Sequence, residues 1–133
     1  MHYITIFHAN LNYAYLTEDR YEFVIRRAYE LMLDTMQAEF PDVPYVFEAS
    51  GYSLVHMAQK TPEVLEKLKT AIARGQCEFM GSPYAHPMLP NFPQADGLWS
   101  IRISNEASDY SLRAEALIEA RRVVGGICIE KTA

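Results

Sequence analysis

The sequence is poor in several features that usually announce a function. Only two cysteines are present, Cys77 and Cys128, too few for a disulfide framework. Each lies in an apolar run that reads as a strand, so both read as reduced, buried thiols. No apolar run reaches the roughly 20 residues of a membrane span. The N-terminal stretch MHYITIFHANLNY lacks the basic flank and the apolar length of a secretory signal. These absences make a cytoplasmic protein without a membrane partner the expectation. Basic charge is also scarce: 12 Lys and Arg stand against 17 Asp and Glu, for a net charge of −5. The densest basic sites are the pairs Arg26-Arg27 and Arg121-Arg122, both in predicted helices where a solvated face accounts for them. Nucleic acid is not an expected partner, because no basic cluster could neutralise its phosphates.

Several motifs of catalysis are missing as well. The four histidines, His2, His8, His56 and His86, form no H-x-x-x-H or H-E-x-x-H, and no cysteine pair stands at metal spacing. The spacing therefore predicts no metal site. There is no G-x-S-x-G for a serine nucleophile and no glycine-rich phosphate loop. Internal repeats and low-complexity segments are absent too.

What the sequence does have is an ordered core. Half of its 133 residues are hydrophobic and 22% are charged, which fits one folded domain. YITIFHA, Tyr3 to Ala9, is β-branched and aromatic and reads as a strand. Helical spacing of Tyr21, Ile25, Ala28, Met32 and Met36 predicts a helix from about Glu18 to Glu39, with Thr17 before it as N-cap and Pro41 ending it. A second strand spans Tyr45 to Glu48, followed by a Ser-Gly turn and a short helix from Tyr52 to Gln59. TPEVLEKLKTAIARG reads as a helix with Thr61 as N-cap, Pro62 in the first turn and Gly75 as its stop. QCEFM is the third strand. A proline-rich loop runs from Gly81 to Gln94, and a helix from Asp96 to about Arg122. VVGGICIE is the fourth strand. Strands alternating with helices predict an α/β fold with about four parallel strands and covering helices.

Each predicted strand carries a polar group at or near its C-terminal end: His8 and Asn10 on the first, Glu48 on the second, Glu78 on the third and Glu130 on the fourth. Parallel α/β folds build their sites at that edge. A single strand-end carboxylate is often just a partner for backbone groups, but four coinciding ends point to a ligand rim. Tyr13, Tyr15, Tyr52 and Tyr84 follow strands 1, 2 and 3. Their faces suit the apolar faces of sugar rings, while carboxylates and imidazoles bond hydroxyls. Some of the four simply cover the end of the sheet.

At IFHANL, EASG and GQCEFMGSPYAHPMLP the chain resembles the N-terminal part of glycoside hydrolase family 57. That family opens on a strand ending in His-x-Pro, which stands here as His8-Ala9-Asn10. Its next block is matched by Gly75, Glu78, Tyr84, His86 and Pro87. The nucleophile motif, Gly-x-Trp-x-x-Glu, is matched by Gly125 and Glu130, with Ile127 in place of tryptophan. The resemblance implies part of an incomplete (β/α)7 barrel acting on α-glucans, oligo- or polysaccharides, by a retaining glycosidase or transglycosidase mechanism. Such a mechanism needs two carboxyl groups about 5 Å apart. Glu130 is the candidate nucleophile; the acid/base aspartate belongs to a later strand, so the chain is expected to be a fragment, inactive alone. The resemblance implies that His8 and Glu78 grip sugar hydroxyls, Tyr84 and His86 form the wall, Asn10 lies beside them and Glu48 orients His8. No metal or organic cofactor is implied. Two other readings remain open: a non-catalytic carbohydrate-binding remnant, and a metal-dependent sugar deacetylase-like barrel, for which Asn10 stands where an aspartate is needed.

Overall fold

The computed structural model describes residues 4–12 and 15–112. Three strands, β1 (Ile6–Ala9), β2 (Tyr45–Ser50) and β3 (Cys77–Ser82), form one parallel sheet in the order β1-β2-β3. Helices fill each connection, as parallel neighbours require. The α/β class is as expected. The expected fourth strand, with Cys128 and Glu130, lies outside the described residues, as does Tyr13.

The first connection is one helical run with a varying pitch. A 3-10 turn (Glu18–Arg20) leads into α1 (Tyr21–Val24), a π-helical segment (Ile25–Glu30) and α2 (Leu31–Glu39). Tyr21, Ile25, Tyr29, Leu33 and Met36 form its buried stripe. Where that run ends, the buried Gln76 amide donates to the carbonyls of Met36 and Phe40 (3.0 and 2.9 Å), closing the terminus against the start of β3. Next come α3 (Gly51–Lys60), α4 (Pro62–Ala73) and, after β3, α5 (Gln94–Leu112). Gly75 takes φ +73° as the predicted stop of α4, a conformation that glycine adopts without steric cost. Thr61 departs from expectation. Only this residue separates α3 from α4, and its hydroxyl donates back to Met57 O (3.3 Å) rather than capping α4.

Strand alternation gives the sheet two unlike faces. Phe7, Ala9, Tyr45, Phe47, Ala49, Cys77 and Phe79 lie against the helices, in a core shared with Ile25, Leu33, Val64 and Leu68. Burial pushes the Cys77 thiol up to about 12, consistent with an inert core residue. The opposite face carries Ile6, His8, Val46, Glu48, Glu78, Met80 and Ser82, in the register His8↔Glu48↔Met80 and Val46↔Glu78.

Both β2 and β3 run further than the sequence suggests. Ser50 pairs with Ser82 and Ala49 with Gly81, so the ladder continues through residues read as turn signals. Small side chains do not break a parallel ladder when a helix packs closely over them. That close approach is visible at Gly51, the first residue of α3. A Cβ there would stand 2.8 Å from Tyr84 Cδ2 and 2.9 Å from Ser104 Cα. The Gly51 N–H donates to Ser104 Oγ (3.0 Å), and Ser104 Oγ donates to Ser82 O (2.5 Å), so α5 ties the end of β3 to the start of α3. Gly51→Ala is accordingly expected to cost about 2 kcal/mol by overpacking, read as a lower urea midpoint at unchanged m-value; an unchanged midpoint would show that α5 yields freely.

His56, on α3, packs edge-on to Tyr21 (4.9 Å between centroids) and lies 4.4 Å from the Tyr52 ring centroid. Its Nδ1 is buried without a hydrogen-bond partner. Burial holds its pKa below the ordinary 6.5. The unfolded chain therefore takes up a proton first, and the His56 contribution to stability, complete above pH 6.5, is lost as pH falls below it. Thermal melts from pH 8 to pH 5 should show a steeper loss for the native chain than for His56→Gln; parallel curves would contradict this.

Candidate functional site

The C-terminal edge of the sheet gathers three side chains from three consecutive elements: His8 from β1, Glu48 from β2 and His86 from the loop after β3. One donor atom from each lies within 4.8 Å of the others. Parallel register is the cause. His8 and Glu48 are Cα partners on the same face of neighbouring strands, so their side chains emerge side by side. His8 Nδ1 is in hydrogen-bond contact with Glu48 Oε2. From the other side, His86 Nδ1 stands 3.9 Å from Glu48 Oε1, and the two imidazoles meet edge to face at 4.8 Å between centroids.

Burial differs sharply across the cluster. The Glu48 side chain is 7% exposed, against 45% for His8 and 34% for His86. Glu48 Oε1 is buried and accepts no hydrogen bond. Among the described residues its ion-pair partners are the two histidines, with no lysine or arginine.

The loop carrying His86 is fixed in place at a cost. His86 has φ 54°, a left-handed conformation that costs an L-residue about 1 kcal/mol or more. Its N–H donates to Pro83 O (2.9 Å), and Ser82 Oγ lies 3.1 Å from its Nδ1. Asn12 Nδ2 donates to Ala85 O (2.8 Å), joining the loop after β1 to the His86 loop. A second set of bonds anchors α3 beneath the site. Ser50 Oγ accepts from Ser53 N (3.2 Å) as a helix N-cap, and Ser53 Oγ accepts from Leu11 N (3.0 Å).

Other residues expected at the rim stand elsewhere. Asn10 uses its side-chain oxygen to accept from Asn12 N (2.9 Å), a local turn that shapes the loop. Tyr84 packs edge-on to Tyr52 (6.1 Å), and its carbonyl accepts from Tyr52 N (3.0 Å), which turns it toward α3. The Tyr52 hydroxyl meets Tyr21 OH at 3.0 Å; this bond, with some burial, pushes its pKa up to about 12. Tyr15 is 99% exposed. Glu78 corrects the expectation of a strand-end position: it is the second residue of β3, four before the end. It shares the face of Glu48 but pairs with Val46, so its Cα lies about 8 Å from that of Glu48, down the sheet from the rim. Glu130 lies outside the described residues.

Sequence reasoning placed His8, Glu48 and His86 at one rim and paired Glu48 with His8, a contact the structure shows across 40 residues of sequence; it did not foresee the approach of His86 to Glu48. It missed Ser82, Ser53 and Ser104. For Ser104 a signal was present: Ser104, Ser108, Ser111 and Leu112 are buried at i, i+4, i+7 and i+8 on α5. The three serines and Leu112 form the stripe on which the helix packs.

The sequence profile described as Glycosyl hydrolase family 57 matches residues 1–116. Alpha-amylase 1 of Dictyoglomus thermophilum is 36% identical over 89 residues, covering 65% of this chain and 13% of the amylase. The 4-alpha-glucanotransferase of Thermococcus kodakarensis is 28% identical over 90 residues, covering 68% of this chain and 13% of that protein. The crystal structure of the Thermococcus litoralis 4-alpha-glucanotransferase superposes with a TM-score of 0.64 at 21% identity, over 92% of this chain and 21% of that one. The chain thus spans 13% of the length of these curated relatives, and it belongs to glycosyl hydrolase family 57.

Proposed function

We propose that the chain forms the N-terminal part of a partial (β/α)7-type barrel from a retaining glycosidase or transglycosidase, and that it binds α-glucan without cleaving it alone. The observation that carries this reading is the convergence of His8, Glu48 and His86 at the C-terminal sheet edge of a family 57 chain. Relatives named alpha-amylase and 4-alpha-glucanotransferase support an α-glucan as the ligand.

In this reading, His8 and His86 present exposed ring edges to sugar hydroxyls, while the buried Glu48 holds both rings in place. Glu78 contacts the sugar from deeper on the same face. Tyr84 and Asn10 act through the shape of the two loops, because their polar atoms are engaged in local contacts. Glu130 is the nucleophile that would attack the anomeric carbon. Retention requires a second carboxyl group to protonate the leaving oxygen, and the described rim offers none with that geometry: Glu48 is enclosed by imidazoles and Glu78 lies down the sheet. The described residues are therefore expected to bind the glucan without turning it over. We place this activity in the cytoplasm; no helix among the described residues is long and apolar enough to cross a membrane.

Calorimetric titration with maltooligosaccharides is expected to show saturable binding, weakened at least tenfold by Glu78→Ala, with no reducing sugar released from amylose. Release of reducing sugar by the purified chain would overturn the inactivity, and absence of saturable binding would overturn the glucan reading.

A further inference from the structure

The same cluster supports an inference that does not depend on the sugar reading. We propose that His8, Glu48 and His86 bind a divalent transition-metal cation of the zinc class. Spacing along the sequence predicts no metal site, because such spacing detects ligands delivered by one helix or one loop. Here three separate elements each deliver one ligand, and only the parallel register brings them together.

Four observations converge on a cation. First, the donor set is two imidazoles and one carboxylate, which suits zinc and its neighbours and not magnesium or calcium, whose ligands are all oxygen. Second, the donor atoms lie within 4.8 Å of one another. Ligands around a tetrahedral zinc stand about 3.3 Å apart, so side-chain rotation on two partly exposed histidines suffices to close the set. Third, Glu48 Oε1 is a buried carboxylate oxygen without a hydrogen bond, facing His86. A buried anionic oxygen without a donor calls for a cation, and among the described residues no lysine or arginine pairs with it. Fourth, the His86 ring is held by Ser82 Oγ on a backbone fixed at φ 54°. That contact is made through Nδ1, the nitrogen that also faces Glu48 Oε1 at 3.9 Å, so it holds the ring at the cluster and would be exchanged for the cation.

The exposure pattern says what kind of site this would be. Three protein ligands leave at least one coordination position open, and the exposed edges of His8 and His86 set that position toward solvent. A closed structural site would have four protein ligands. The open position would take water or a ligand oxygen.

The test uses the full chain, stripped with EDTA and titrated with zinc ion alone by calorimetry. One zinc per chain is expected, with no binding of magnesium at the same concentration. His86→Ala and Glu48→Gln should each weaken zinc binding at least tenfold, whereas His2→Ala and His56→Gln should leave it unchanged. Sub-stoichiometric binding would overturn the proposal, as would folded His8→Ala and His86→Ala variants that bind zinc like the native chain. Cobalt(II) added to the native chain decides the matter even where a variant fails to fold. Visible absorption well above that of the aqueous ion supports the site, and absorption equal to it overturns the proposal.

Discussion

The candidate site depends on one buried carboxylate. Glu48 stands on the central strand, enclosed at the sheet edge, and its neighbours must compensate for removing it from water. Uncompensated, such burial costs several kcal/mol. His8 compensates one oxygen through strand pairing, while the loop after β3 brings His86 to 3.9 Å from the other, which accepts no hydrogen bond. Three successive elements are thereby committed to one point. The strain at His86, the Asn12–Ala85 bond between loops and the Ser82 contact all serve to keep the second imidazole there.

Supporting that point requires close packing beneath it. Ser50 and Ser53 fix the start of α3, while Ser104 links Gly51 to Ser82. The absence of a side chain at Gly51 lets Tyr84 and α5 approach at distances that a Cβ would forbid. Hydroxyl groups and a glycine, rather than large apolar residues, therefore join the rim to the core. The apolar core itself lies on the other face of the sheet, under the helices. The two faces divide the work: one stabilises, the other presents polar groups.

Much of this was legible in the sequence. The alternation of apolar runs with helical spacing marked three strands and their helices correctly, and Gly75 and Pro62 marked the limits of α4. Strand ends were less legible. The Ser-Gly and Gly-Ser steps after Glu48 and Met80 resemble turns, yet small residues can extend a parallel ladder where a helix presses close. That misreading by two residues moved Glu78 to the rim in expectation, while the register keeps it below. The partnership of Glu48 with His86 was not legible at all, because it depends on a loop with a left-handed residue that no local pattern specifies. His56, which the sequence assigned to no metal motif, sits among tyrosines.

The claim at the centre of this account is that Glu48 and the two histidines form one interacting unit. A double-mutant cycle measures it directly: urea unfolding of the native chain, His86→Ala, Glu48→Gln and the double variant. The account predicts a coupling energy of about 1 kcal/mol or more between the two sites. Additivity within about 0.3 kcal/mol would contradict it.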